Sequence, residues 1–327
     1  MLELTCEVII KGNKTWVFNK PSRCRILEDV DMLTDTCEID IPGTTRWEGI
    51  HSEKVPIKKG DRVIVKLGYD HDLKVRFTGF IREVHINTSM YDDSIQIECE
   101  NEMLKLKRAV AMQKGFKETT LEELVSFLLQ GTSIHYKLMG SNVNIGRYSI
   151  TKSTIAEELN ELKVQTGIRV YFRYYNKPVL YIGYTYPKND RNKELFVYGK
   201  NIISERLTYE LAEDIKVKVK ATSKSKDGTE ITTELGDETG YTVPISVYGI
   251  DKSALDHVAE RVLKKYKYTG HRGSIETFGE PMVNKCDIIQ LEASDSPKGL
   301  YMVKKVEVSF GSSGYRQEIE LGPVMKS

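Results

Sequence analysis

Apolar and polar residues alternate along both ends of this chain. Leu4, Cys6, Val8 and Ile10 recur at every second position, Gly12-Asn13 turns the chain, and Trp16-Val17-Phe18 follows. Val63, Val65 and Leu67 point one way while Arg62 and Lys66 point the other, and Ile95, Ile97 and Cys99 repeat the pattern. Period-two alternation marks strands with one buried face, and many short strands between Gly and Asp turns predict a barrel or sandwich. Residues 1–105 therefore read as a β domain.

The period then changes to that of a helix. Thr119 with Glu122, or Thr120 with Glu123, predicts a capping box ahead of Leu121, Leu124, Val125 and Leu128, with a stop at Gly131. A second helix is predicted from Thr154, with Glu157 as box partner, to Gly167. Ile168–Tyr175, a turn at Asn176-Lys177-Pro178, and Val179–Ile182 predict a hairpin. Residues 106–205 thus form an α+β insert. β patterning returns around Leu207, with Ile215, Val217 and Val219 alternating with Lys216, Lys218 and Lys220 and a hairpin turn at Asp227-Gly228. One helix, capped by Ser253 and ended by Gly270, interrupts residues 206–327.

The two ends repeat each other. Asp61–Leu67, Phe77-Thr78-Gly79-Phe80-Ile81-Arg82-Glu83-Val84 and Ser94–Cys99 find counterparts in Asp287–Leu291, Gly299-Leu300-Tyr301-Met302-Val303-Lys304-Lys305-Val306 and Arg316–Leu321. Each copy is an acidic strand start, a Gly-bearing strand closing on a charged pair and Val, and an alternating strand. A duplicated β unit lets a trimer present six similar units around an axis, which points to an assembly part.

The 327 residues carry a formal net charge of +1, so no global field draws the chain to nucleic acid or an anionic membrane. No apolar run approaches the roughly 20 residues of a membrane span, and the N-terminus lacks a secretory pattern. Cys6, Cys24, Cys37, Cys99 and Cys286 are scattered without a C-x-x-C pair, as expected of buried thiols in a reducing cytoplasm.

Candidate chemistry is sparse. His51, His71, His85, His135, His257 and His271 show no metal spacing, and His257 reads as a surface or helix-packing residue. Gly311-Ser312-Ser313-Gly314 lacks the spacing of a nucleophile elbow and reads as a hairpin tip. Glu157-Glu158 and Asp92-Asp93 read as solvated helix and turn residues. No phosphate-cradling Gly-rich loop is present, so no cofactor is expected. The row Lys216, Lys218, Lys220, Lys224 and Lys226 reads as the solvated face of an edge strand or a basic face for a protein partner, with nucleic acid a lesser alternative. The cluster Tyr171, Phe172, Tyr174, Tyr175, Tyr181, Tyr184 and Tyr186 suits core or interface, with stacking on bases or sugars as the alternative.

In order along nearly the whole chain, these features resemble the baseplate hub of contractile and related tails, the late-control-protein-D-like family of phages and tail-like bacteriocins. The residues that carry the resemblance are Phe77-Thr78-Gly79-Phe80-Ile81, the helix after Thr119-Thr120-Leu121, and Gln165-Thr166-Gly167-Ile168. At the C-terminal end they are Thr277-Phe278-Gly279-Glu280-Pro281, Cys286–Leu291, Gly299–Val306 and Tyr315–Leu321. The family often has Gly before the late aspartate, where this chain has Lys285-Cys286, so that turn is expected to differ.

The resemblance implies two tube-like β-barrel domains with a small α+β insert. It also implies a homotrimer made in a bacterial cytoplasm and built into a tail baseplate, as a pseudo-six-fold adaptor between a six-fold tail tube and a three-fold central spike. The tube protein, the spike protein, other baseplate proteins and a tape-measure protein are the implied partners, with no membrane and no sequence-specific nucleic acid. The chain carries no C-terminal β-helix, so the spike is expected to be a separate protein. Phe77, Gly79, Phe80, Ile81, Gly279, Pro281, Asp287, Gly299, Tyr301 and Val303 are the expected barrel and assembly residues, and Lys216, Lys218 and Lys220 an expected basic interface. The alternatives are a tail-associated peptidoglycan hydrolase, which needs a catalytic Glu, a Cys-His pair or a zinc site, and a glycan-binding β module.

Overall fold

The computed structural model describes residues 3–45, 55–87, 93–140, 142–174, 176–187, 191–224, 229–250, 252–295 and 297–325. The fold is mainly β. The first unit contains β1 (Leu4–Lys11), β2 (Thr15–Phe18), β3 (Arg23–Asp29), β4 (Thr36–Pro42), β5 (Arg62–Tyr69), β6 (Asp72–Asn87) and β7 (Ser94–Glu100). An α+β segment follows, with α1 (Met103–Arg108), β8 (Lys114–Thr120), α2 (Leu121–Leu128), β9 (Tyr136–Met139), β10 (Asn144–Ile150), α3 (Ile155–Thr166), β11 (Arg169–Tyr174) and β12 (Pro178–Gly183).

The second unit opens with β13 (Lys193–Val197) and β14 (Ile202–Glu210). A detour through β15 (Val217–Lys224), β16 (Glu230–Gly236), β17 (Tyr241–Tyr248) and α4 (Lys252–Tyr266) comes next. β18 (Gly270–Phe278), β19 (Ile288–Glu292), β20 (Gly299–Gly311) and β21 (Gly314–Val324) complete it.

One sheet runs through both units in the order β14-β18-β21-β20-β3-β4-β7-β6-β5-β1-β2, with β19 on β20 and β13 on β19. Two stretches of this order match strand for strand: β14-β18-β21-β20-β19 corresponds to β3-β4-β7-β6-β5. The registers match as well. Both long strands carry a bulge at the same place, between Ile81 and Glu83 in β6 and between Val303 and Lys305 in β20. A bulge inserts one residue and bends the strand, so both strands turn at equivalent points. The correspondence ends at the outer strand, because β1 is antiparallel to β5 while β13 is parallel to β19.

The turn ahead of β5 and β19 repeats atom for atom. Asp61 accepts from the Lys58 backbone N–H at 3.0 Å, and Asp287 from that of Asn284 at 2.8 Å. Ile81 and Val303 each donate to the aspartate carbonyl, at 2.9 and 2.8 Å. Gly60 sits at φ +92°, and its counterpart Cys286 at φ +70°. The expected difference at Lys285-Cys286 is therefore one of side chain, with cysteine holding the left-handed slot that glycine fills in the first copy.

Both units share one apolar core, in which Ile39, Val65, Phe77, Ile81 and Ile97 join Ile275, Ile289, Tyr301, Val303 and Ile319. A second core forms under the insert, where α2 and α3 pack Leu124, Leu128, Leu159 and Leu162 over Val170 and Leu180. The capping boxes form with Thr120 and Glu123 and with Thr154 and Glu157, and Gly167 closes α3 at φ +69°. β15–β17 and α4 have a separate small core around Val219 and Leu255, and they occupy the link that in the first unit is the short β3–β4 connection.

Several expectations need correction. Ser253 lies inside α4, which starts at Lys252 and ends at Tyr266, and Gly270 opens β18 instead. Lys252 braces that end of the helix by donating to Thr233 Oγ1 at 2.9 Å. Glu158 is fully buried, because α3 turns it inward with Leu159 and Leu162. It accepts from Tyr148 at 2.6 Å and from the Thr151 and Lys152 backbone N–H groups at 3.0 and 2.8 Å, so its lone pairs are satisfied. Asp227-Gly228, Tyr175, Lys226 and the His257 side chain lie outside the described residues.

Candidate assembly site

Antiparallel pairing of β20 with β3 joins the two units. Lys305–Gly311 face Asp29–Arg23, with Val306 opposite Glu28, Val308 opposite Ile26 and Phe310 opposite Cys24. On the polar face Arg25 Nε donates to Glu307 Oε1 at 2.7 Å. Past the seam, the Val30 N–H donates to the Lys304 carbonyl at 3.1 Å.

A buried polar clamp closes the end of this seam and ties in the insert. Lys285 pairs with Asp35, and its backbone N–H donates to Glu28 at 3.2 Å. Asn101 Nδ2 donates to Asp35 at 2.9 Å. Arg173, from β11, pairs with Asp287 and donates through Nε to the Lys285 carbonyl at 2.8 Å. Arg76 Nη1 donates to the Val283 carbonyl at 2.9 Å and to Asn284 Oδ1 at 3.2 Å. Cys286 Sγ donates to Tyr171 Oη at 3.3 Å. The first unit, the insert and the second unit thus each contribute charge to one desolvated cluster. A cavity of about 30 Å³ among Arg76, Asp35, Arg173 and Lys285 is water-sized and far too small for a substrate.

The expected site residues divide between two places. Phe77, Ile81, Tyr301 and Val303 meet in the shared core. Phe80 is half-buried beneath Lys105 Nζ, 4.7 Å from its ring. A Cβ on Gly79 would lie 2.2 Å from the Glu100 carbonyl oxygen, so β6 passes that backbone closely. Gly299 lies against the Tyr301 ring and Gly279 against the Tyr315 ring. The Glu280–Pro281 peptide is cis, and the Pro281 carbonyl accepts from Gln317 Nε2 at 2.9 Å. Asp287 is the expected residue that enters the clamp.

Lys218 and Lys220 lie apart from these residues, in the three-stranded sheet, and Lys216 directly precedes it. There the edge-strand reading fails, because β15 is the central strand between β16 and β17. Cross-strand glutamates also neutralise much of the row: Glu234 meets Lys218 at 2.5 Å and Lys220 at 3.5 Å, and Glu230 meets Lys224 at 2.8 Å. In the tyrosine-rich hairpin, Tyr171, Phe172 and Tyr181 are buried, so their faces are closed to bases or sugars.

Arg76 and Glu28 escaped sequence reasoning, since single charges in alternating strands look solvated, and so did Asp35 and Lys285, in the connections ahead of β4 and β19. One signal was readable: Arg173 follows Val170-Tyr171-Phe172 in a strand with both faces apolar. Among the described residues, no group of three or more His, Cys, Asp or Glu could hold a metal ion. Among the same residues, no helix is long and apolar enough to cross a membrane.

Two buried groups give stability opposite pH dependences. Burial raises Asp35 to about 6 despite Lys285, with Glu28 pushing the same way. Below pH 6 the folded state holds a proton that the unfolded carboxyl, at 3.8, has released, so this contribution grows as pH falls. His271 behaves in reverse. Its backbone N–H donates to Tyr301 Oη at 2.9 Å, and its Nδ1 lies 2.8 Å from the same oxygen. Burial lowers this imidazole, outweighing Glu205, so its contribution is complete above 6.5 and is lost as pH falls below it. Urea midpoints at about pH 7.5 and about pH 5 are expected to show His271→Gln gaining relative stability in acid and Asp35→Asn losing it. Parallel behaviour of both variants and the parent would contradict these assignments.

No family model matches the chain, and no curated protein matches it. Solved structures do. The 43 kDa tail protein of prophage MuSo2 from Shewanella oneidensis superposes with a TM-score of 0.66 at 14% identity, over 97% of this chain and 98% of that one. A tail protein from Neisseria meningitidis gives 0.69 at 15% identity, over 98% and 96%. The E. coli c3393 protein, a component of the type VI secretion system, gives 0.64 at 10% identity, over 98% and 77%. At these identities the likeness establishes a shared fold.

Proposed function

We propose that this chain is a structural baseplate hub of a phage tail or tail-like contractile particle. In this role three copies close a ring of six similar β units, which adapts a six-fold tail tube to a three-fold central spike. The observation that carries the role is the pairing of β20 with β3, which sets two matching units side by side in one sheet. Neighbouring units in such a ring need that same lateral pairing, and closing the ring covers the strand edges along which the units meet. The fold shared with tail proteins supports the same role. In it, the insert reaches other baseplate proteins, the ring faces meet tube and spike, and the protein is structural rather than catalytic.

Light scattering on a sizing column tests this role. The expected mass is three times 37.4 kDa, with a central channel in negative-stain images. A monomer at every concentration tried would count against it.

A further inference from the structure

The β20·β3 seam has a counterpart position that no strand fills within the chain. β20 pairs with β19 through Gly299–Met302 and, further along, with β3 through Lys305–Gly311. Its counterpart β6 pairs with β5 up to Phe80, and residues 81–87 pair with β7 on the other side. Among the described residues, the edge of β6 that corresponds to the β3-bearing edge of β20 carries no strand. Likewise β14, the counterpart of β3, pairs with β18 and ends the sheet.

Residue equivalence follows from the registers. Ile81 and Glu83 correspond to Val303 and Lys305 across the shared bulge, so Val84 and Ile86 correspond to Val306 and Val308. Arg206 faces Ser274 as Arg25 faces Glu38, so Leu207, Tyr209 and Leu211 correspond to Ile26, Glu28 and Val30. The seam buries its core-facing apolar members: Val308 and Ile26 are 0% exposed and Val30 is 1%. Their counterparts Ile86 and Leu211 are 60% and 41% exposed, and Tyr209 is 37% exposed. Two complementary edges therefore hold apolar side chains in the water where an equivalent neighbour would cover them.

We infer that β6 of one copy pairs antiparallel with β14 of the next, in the register of the β20·β3 seam. Ile86 lies opposite Leu207 and Val84 opposite Tyr209, and the Leu211 N–H meets the Arg82 carbonyl as Val30 meets Lys304. The inference rests on the ring role proposed above and names the strands and residues that would close it. Glu83 and Glu210 also come opposite each other. Each brings its own cation, Lys59 at 2.7 Å and Arg272 respectively, so the pairing carries no bare like-charge contact.

Cross-linking tests the register. Ile86→Cys with Leu207→Cys in one chain is expected to give covalent trimers on mild oxidation, reversed by a thiol reductant. Directly opposed residues hold their Cβ atoms about 4.5–5.5 Å apart. Ile86→Cys with Thr208→Cys, whose side chains emerge on opposite faces, is expected to remain uncross-linked, and the five native cysteines are buried. Ile86→Asp is expected to weaken association by at least roughly tenfold without moving the unfolding midpoint of the monomer. Trimers by light scattering without cross-links at 86/207, or unweakened assembly of Ile86→Asp, would overturn the strand pair and leave the ring role standing. A strict monomer would remove both.

Discussion

Arg173→Met is expected to destabilise the fold by about 3–5 kcal/mol, because it strands a carboxylate buried away from bulk solvent. The Arg173 side chain is 1% exposed and that of Asp287 is 0% exposed. Burial already raises Asp287 above the usual carboxylate range, with Arg173 the largest influence pulling it back. Without the guanidinium, Asp287 retains the backbone N–H groups of Asn284 and Asn192, at 2.8 and 2.9 Å, with Arg191 as a further electrostatic neighbour. The double variant Arg173→Met/Asp287→Asn should cost less than the sum of its parts, since neither charge then remains unpaired. The duplicated turn supplies an internal control. Asp61 accepts the equivalent backbone hydrogen bond from Lys58, so Asp61→Asn should cost about 1 kcal/mol. Urea unfolding of the four variants decides the matter, and similar costs for Arg173→Met and Asp61→Asn would show that the clamp is not desolvated.

Gly79→Val is expected to cost about 3 kcal/mol or more and to abolish assembly, and Gly299→Val is expected to cost less. The two glycines occupy the matching long strands but face different obstacles. At Gly79 a Cβ meets a backbone carbonyl, that of Glu100, at 2.2 Å, and the Phe77 ring at 2.8 Å. Phe80 and Glu100 are register partners there, so relief requires parting β6 from β7. At Gly299 the nearest atoms belong to the Tyr301 ring, at 2.5 Å, and a side chain can turn where a ladder cannot. His271 holds that ring through the Tyr301 hydroxyl, so some cost remains. Thermal unfolding ranks the two variants and light scattering follows their assembly. Unchanged assembly in both would contradict a role for close backbone approach in the ring.

The clamp and the seam place the joining of the two units and the docking of the insert in one set of contacts. Charges from three parts of the chain meet where β20 turns from β19 to β3, so the insert is fixed to the sheet at the point where the two units join. Buried ion pairs are weak sources of net stability, but an incorrect pairing leaves them uncompensated. Docking the insert elsewhere would leave Arg173 and Asp287 in that condition.

Local rules settled a good deal of this protein from its sequence. Period-two alternation marked β1, β5, β7 and β15, because strand side chains alternate whatever lies beside them. The helix start at Thr154 was legible, and the earlier one to within Thr119 or Thr120, because a capping box closes within three residues. The duplication was visible in Phe77–Val84 and Gly299–Val306, since like strands in like surroundings call for like side chains. Partnership was not visible. Alternation says which face is buried but not which strand lies alongside, so the β20·β3 seam, the central place of β15 and the bare edge at Ile86 had to come from the tertiary structure. The fate of charge was equally hidden. Glu158 read as solvated, and only the assembled fold brings Arg173 to an aspartate 114 residues away in a space closed to bulk solvent. A charge is buried where its partner arrives, and that arrival is decided by topology rather than by neighbours in the chain.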